Sequence, residues 1–230
     1  MKLSQRLSNI HNMIDHEYDH IWDTCCDHGQ LGQAIFLSTK HDHIHFVDVM
    51  PHLIKAIEQG LSTDSRFFNS NRWSSHAMDC ACLPLEEAKN HLVVIAGVGG
   101  DLLLKLVKDI MSKHGHKTNI DFILCPVRQL HKVRNGLRQL NLNLIDERLI
   151  KEFGHYYEIL YVSNNKTGSE VSPIGENMWD LNRKVDQEYL ARNLKHYGNM
   201  CKQSNTDPSA EPNAQAIYDL YKALKQKSQI

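Results

Sequence analysis

The sequence of 230 residues predicts an α/β chain built on a doubly wound, mostly parallel sheet, and three observations lead there. Short apolar segments alternate with helical patterns along the first two-thirds of the chain. Most are apolar on both faces, as strands buried between two helix layers must be. The last two follow one another across only Phe153-Gly154-His155, too close for a crossover helix, which predicts an antiparallel hairpin at one edge.

Taken in order, Leu3, Leu7, Ile10 and Ile14 repeat at helical spacing and predict an N-terminal helix lying across the sheet. Strands are expected at His20 to Cys25, Ile44 to Val49, Arg72 to Ala77, Leu92 to Ala96 and Phe122 to Cys125. The closing hairpin joins Leu142 to Ile150 with Tyr156 to Val162. Helices fill the gaps at Gln30 to Ser38, Pro51 to Leu61, Asp101 to Lys113 and Arg128 to Leu140; the last has apolar residues at Leu130, Val133, Leu137 and Leu140. Five βα-type units ending in a hairpin are the profile of the seven-stranded, Rossmann-like sheet of class I methyltransferases, a statement about fold and not yet about chemistry. Residues 1–163 are expected to form this domain and residues 164–230 a linker and helical appendage. In the appendage Met178, Leu181, Val185, Tyr189, Leu190, Leu194 and Tyr197 mark one amphipathic helix. After a break from Ser204 to Pro212, Ala214, Ile217, Tyr218, Tyr221 and Leu224 mark a second, making a helical hairpin.

Composition narrows the setting. With 41% hydrophobic and 23% charged residues the chain has a core to bury, and no apolar run reaches the ~18 residues of a membrane span. The first residues lack the apolar stretch of a signal peptide, so a cytoplasmic protein with no membrane partner is expected. None of the six cysteines forms a C-x-x-C pair, and they read as reduced and mostly buried. Fifteen histidines accompany a net charge of −1. His41, His43 and His45 alternate along one side of an extended segment without a carboxylate or cysteine at ligand spacing, so no metal is expected.

Ligands of doubly wound sheets bind outside the carboxyl ends of the strands, which directs attention to four turns. The first runs from Asp23 through Asp27, His28 and Gly29, where a glycine before a helix allows close backbone approach. It is not G-x-G-x-x-G, which disfavours a pyrophosphate and with it a nicotinamide cofactor. The second strand ends at Asp48-Val49, an acid able to accept both hydroxyls of a ribose. The third is followed by Asp79-Cys80, placed to address an adenine. The fourth ends in Ala96-Gly97-Val98-Gly99-Gly100, bare backbone beside the reacting end of a ligand. Three acids with no phosphate loop suit S-adenosyl-L-methionine.

These residues resemble the TrmK family, bacterial tRNA (adenine(22)-N1)-methyltransferases. The resemblance rests on Leu3-Ser4-Gln5-Arg6-Leu7, Asp23 to Gly29 with its Asp-His pair, Ile95 to Gly100, Pro126 and Tyr157-Glu158-Ile159, and spans roughly the first 163 residues. Cys25 and Cys26 stand where the family has Gly and Ser or Thr, Val98 where Met is usual, and Val127 where Asn is usual. The resemblance implies methyl transfer to N1 of adenine in tRNA. Asp27 would hold the methionine part of the cofactor, Asp48 its ribose and Asp79 its adenine, with Asp23, Gly29, Val49, Cys80, Ala96 and Gly97 completing the cofactor site. Asp27, His28, Gly97, Val98 and Tyr157 would be the catalytic residues, with the loop Ala96 to Gly100 bordering the target base and His28 and Tyr157 positioning it. RNA contacts are expected from Arg6 and from the basic run Lys113, Lys117, Arg128, Lys132, Arg134 and Arg138, for which a merely solvated helix face is the other reading. A methyltransferase-fold RNA-binding protein with altered target or lost turnover stays open as a second function, and the oligomeric state, monomer or weak dimer, is undecided.

Overall fold

The computed structural model describes residues 3–38, 41–204 and 214–227. Its sheet has eight strands in the order β3-β2-β1-β4-β5-β7-β6-β8: β1 His20–Thr24, β2 His43–Asp48, β3 Trp73–Ala77, β4 Asn90–Ala96, β5 Asn119–Cys125, β6 Asn143–Glu152, β7 His155–Ser163 and β8 Ser169–Glu170. The first five are parallel, with Ile21 opposite Ile44 and Leu92, and β7 returns antiparallel between β5 and β6. The seven expected strands are all present. The eighth, a two-residue edge strand on β6, is the correction to the count; it lies in the polar stretch read as linker, too short to carry a periodic signal.

Alternation along the strands builds two cores. Val93 and Ile95 of β4 face α4 (Gly100–His114) and α5 (Leu130–Gln139), whereas Leu92 and Val94 face α1 (Gln5–His11), α2 (Gln30–Ser38) and α3 (Pro51–Thr63). Burial on both faces is why these strands read as nearly continuous apolar runs. The short α1 is capped by Ser4, whose hydroxyl accepts the Leu7 N–H at 3.2 Å, and packs against α2 and β6 with Ile10 buried.

The helical appendage consists of α6 (Lys184–Ser204) and α7 (Ala214–Lys227), packed together through Leu190, Tyr197, Ile217 and Tyr221. Met178 and Leu181 precede α6 instead of belonging to it. Met178 packs with Leu149 of β6 and Tyr189 of α6 and so joins the appendage to the sheet. Most of the break expected between Ser204 and Pro212 lies outside the described residues. No helix among the described residues is long and apolar enough to cross a membrane.

Candidate active site

After β1 the chain turns sharply: Cys25, Asp27 and Gly29 all adopt positive φ, at 52°, 50° and 64°. Left-handed backbone costs a non-glycine residue about 1–2 kcal/mol, so the turn must be held by its surroundings. Asp48 at the end of β2 supplies part of that hold. One of its carboxylate oxygens accepts the Asp27 N–H at 3.2 Å and the other the Met50 N–H at 3.0 Å. The Cys26 N–H bonds to the Val47 carbonyl. Cys25, standing where the resemblance expects glycine, thus keeps a glycine-type conformation, and burial pushes its thiol up to about 11. Asp23 lies beneath, buried, accepting the Gly32 N–H at 2.8 Å. Burial pushes its carboxyl up to about 7 against the opposing effect of that donor.

The turn forms one wall of a cavity of about 340 Å³ at the carboxyl ends of β1 and β4. Arg6 is brought into it from α1. Its backbone N–H donates to Glu152 at 3.3 Å, and its guanidinium carbon lies 5.1 Å from the centre of the Tyr157 ring. Its Nε is buried without a hydrogen-bond partner. Opposite, Gly97 adopts φ 83°, and a Cβ there would stand 3.9 Å from Arg6 Nη2. The Gly97 N–H bonds to the Cys125 carbonyl at 3.0 Å, which fixes the β4 turn against β5. A cation with an unused donor, the three carboxylates of Asp23, Asp27 and Glu152, and a bare backbone turn therefore converge on one hollow.

Of the residues singled out in the sequence, Arg6, Asp23, Asp27, His28, Ala96 and Tyr157 line this cavity. Asp48, Val49, Asp79 and Cys80 lie outside it, along the neighbouring strand ends. Asp79 is exposed and caps the 3₁₀ turn Cys80–Cys82 by accepting the Ala81 N–H at 2.9 Å; Cys80 is buried beside it. Val98 packs against the apolar core, and its carbonyl accepts the Val127 N–H at 3.0 Å. Sequence reasoning missed Ser4, Leu7, Glu152 and Phe153, which also line the cavity. The available signal was Phe153 itself, an aromatic residue in a hairpin turn.

The basic run does not form one face. Lys113 donates to the Ala81 carbonyl at 2.6 Å, Lys117 pairs with Glu87, Lys132 with Asp101 and Arg138 with Glu170. Arg134 is the clear correction. It is 1% exposed, with Nη2 at 2.8 Å from Glu147 and 2.7 Å from Glu158, and Nη1 donating to the Ser172 carbonyl at 2.9 Å. Burial alone would lower its pKa, but the two carboxylates outweigh that and hold the guanidinium charged. It cannot touch RNA. What remains is a groove of about 550 Å³ between the start of α5 and α6, lined by Arg128, Lys132, Arg192, Tyr156 and Tyr189. The Arg192 guanidinium lies 5.6 Å from the centre of the Tyr156 ring, and Arg128 Nε stands 3.0 Å from where a Cβ on Gly99 would be. The groove therefore adjoins the turn that borders the cavity. Among the described residues, no three His, Cys, Asp or Glu side chains are placed to hold a metal ion.

A family profile described as a methyltransferase domain matches residues 3–160. The chain belongs to the methyltransferase domain family. No curated protein matches the sequence. Among solved structures, TrmK of M. capricolum with S-adenosyl-homocysteine is similar at 16% identity and a TM-score of 0.71, over 99% of this chain and 98% of that one. A putative tRNA (m1A22) methyltransferase of Streptococcus pneumoniae with S-adenosyl-L-methionine matches at 17% and 0.70, over 98% and 99%. The m1A22 tRNA methyltransferase TrmK of B. subtilis matches at 19% and 0.67, over 98% of both chains. At these identities the likeness is one of fold. It takes in the helical appendage of this methyltransferase-family chain as well as the sheet.

Proposed function

We propose that the chain is an S-adenosyl-L-methionine-dependent methyltransferase acting on N1 of adenine in tRNA, at position 22, in the cytoplasm, with residues 1–163 as the catalytic domain. The observation that carries this reading is the cavity where Arg6, with its unpartnered buried Nε, faces Asp27 and the Gly97 turn. An amino-acid carboxylate is the chemical group that such a guanidinium lacks, and a carboxylate such as Asp27 suits the neighbouring ammonium. The whole-length likeness to three structures whose names describe TrmK or m1A22 methyltransferases supports the choice of target.

When bound, S-adenosyl-L-methionine supplies an electrophilic methyl group on a sulfonium. The residues of this chain would then divide the work. Arg6 and Asp27 hold the amino-acid end, Asp48 the ribose and Asp79 the adenine. Ala96 and Gly97 leave the reacting end unobstructed, and His28, Val98 and Tyr157 border the target base. Adenine N1 carries an in-plane lone pair at neutral pH and needs no general base. Held by Arg6, Asp27, Asp48 and Asp79, the cofactor would supply the methyl group to N1, and the positive charge of its sulfonium would be taken up by the base. Alignment and charge stabilisation are therefore the enzyme's contribution. The substrate base leaves its stack at the expense of local pairing, and the phosphate backbone is held by the Arg128 and Arg192 groove.

Calorimetric titration with S-adenosyl-L-methionine, followed by incubation with tRNA and mapping of methylated adenines, tests the proposal. The expected product is a single N1-methyladenine at position 22. Absence of binding at millimolar cofactor would overturn the reading. Asp27→Ala should fold normally and lose methylation; full activity in that variant would remove Asp27 from the site.

A further inference from the structure

The connection between β6 and β7 is a two-residue hairpin turn, with Glu152 opposite His155 and Phe153-Gly154 between them. Both turn residues have positive φ, 49° at Phe153 and 81° at Gly154, the requirement of a type I′ turn. Such turns favour Asn-Gly because Asn tolerates the left-handed region, whereas a bulky aromatic there is a marked outlier. Phe153 is also 90% exposed, so no burial compensates for the strain. Nothing in the fold requires this side chain.

Its position suggests what does. Phe153 lines the candidate active cavity, and on its other side an open groove of about 770 Å³ that runs along α1 past Ser4, Gln5, Ser8 and Lys151. None of the other large apolar side chains exposed among the described residues lines either space. A single exposed aromatic ring, with Ser4, Gln5, Ser8, Gln30 and Lys151 around it and only partly or fully buried apolar residues behind, is poorly matched to an apolar protein partner or a lipid surface, which need contiguous exposed apolar area. It is well matched to a nucleobase, which offers a π-face beside a phosphate.

We propose that Phe153 is a positioning residue that stacks against a base of the RNA substrate at the mouth of the cavity, holding the opened strand while the target adenine enters. The inference rests on the RNA methyltransferase reading. The test compares Phe153→Asn, which suits the turn, with Phe153→Trp, which keeps the stacking surface. Phe153→Asn is expected to raise the urea midpoint and leave cofactor affinity unchanged, while kcat/KM for tRNA falls roughly 5- to 140-fold, the range of one base stacked on an aromatic ring. Phe153→Trp should stay within a few-fold of the native chain. A tRNA carrying 2-aminopurine beside the target should be quenched on binding the native chain and less so with Phe153→Asn, a readout that needs no turnover. Equal kcat/KM and equal quenching in the Asn variant would overturn this role. Failure of the native chain to methylate tRNA would instead count against the underlying function, and the quenching comparison would still decide the stacking.

Discussion

Replacing Arg134 with Met should destabilise the protein more than removing any exposed charge. Its guanidinium is shared between Glu147 and Glu158, themselves buried, and Glu158 also accepts the Tyr189 hydroxyl of α6 at 2.8 Å while Glu147 accepts the Asn177 N–H at 2.9 Å. One cation thus ties α5, the β6/β7 hairpin and the docked appendage. Arg134→Met leaves two carboxylates buried without their counter-charge, and breaking such a group costs about 3–5 kcal/mol, a large share of the ~5–15 kcal/mol stability of a typical domain. With a urea m-value of about 2–3 kcal/mol/M, the midpoint should drop by roughly 1–2.5 M. Urea unfolding followed by circular dichroism measures it. Adding Glu147→Gln and Glu158→Gln should recover most of the loss, because the penalty comes from orphaned charge and not from the missing stem. A loss below about 1 kcal/mol for Arg134→Met alone would refute the account.

Three further outcomes are expected. His45, stacked on Trp22 at 3.6 Å and hydrogen-bonded to His20 and His76, is held by burial, then by its histidine neighbours, down to about 2. The unfolded chain takes up that proton below about 6.5, so the contribution is intact above 6.5 and lost as pH falls; His45 alone should remove about 2 kcal/mol between pH 8 and pH 5. His43, His76 and His91 are shifted in the same direction by burial, so thermal melts that do not move over this range would contradict the arrangement. Asp23, pushed up to about 7 by burial, should ionise more readily beside a bound sulfonium and ammonium. Cofactor affinity should therefore climb with pH through about 7, with proton release in calorimetry; Asp23→Asn should flatten that dependence, and a native chain with no pH response would show that Asp23 does not sense the ligand. Removing Arg128 and Arg192 together should weaken tRNA binding and reduce its salt slope by about 1.4–1.8 without altering cofactor affinity, and an unchanged slope would exclude the groove from the RNA path.

What the sequence disclosed, and what it hid, follows from where patterns are local. Most of the strands could be read because they are apolar toward two helix layers, and the acids at their ends because a strand end is a position along the chain. The pairing of Arg134 could not be read from its neighbours. On α5 it sits between Lys132 and Arg138, with Arg128 just ahead of the helix, and its acids lie on other elements, as do those of Lys117 and Lys132. Yet a trace was present. Leu130, Val133, Arg134 and Leu137 fall at i, i+3, i+4 and i+7, so Arg134 occupies the buried stripe of its helix, while Glu158 shares a strand face with Leu160 and Val162. A charge on an apolar stripe must be neutralised inside the fold, and a cation and an acid both out of pattern are each other's natural partners. Phe153 obeys the inverse rule: an aromatic side chain on a polar turn, with strain in its backbone, finds no partner within the described fold. The out-of-pattern charges close upon one another and hold the molecule together, whereas the out-of-pattern ring is left open at the mouth of the cavity, where a substrate base can satisfy it.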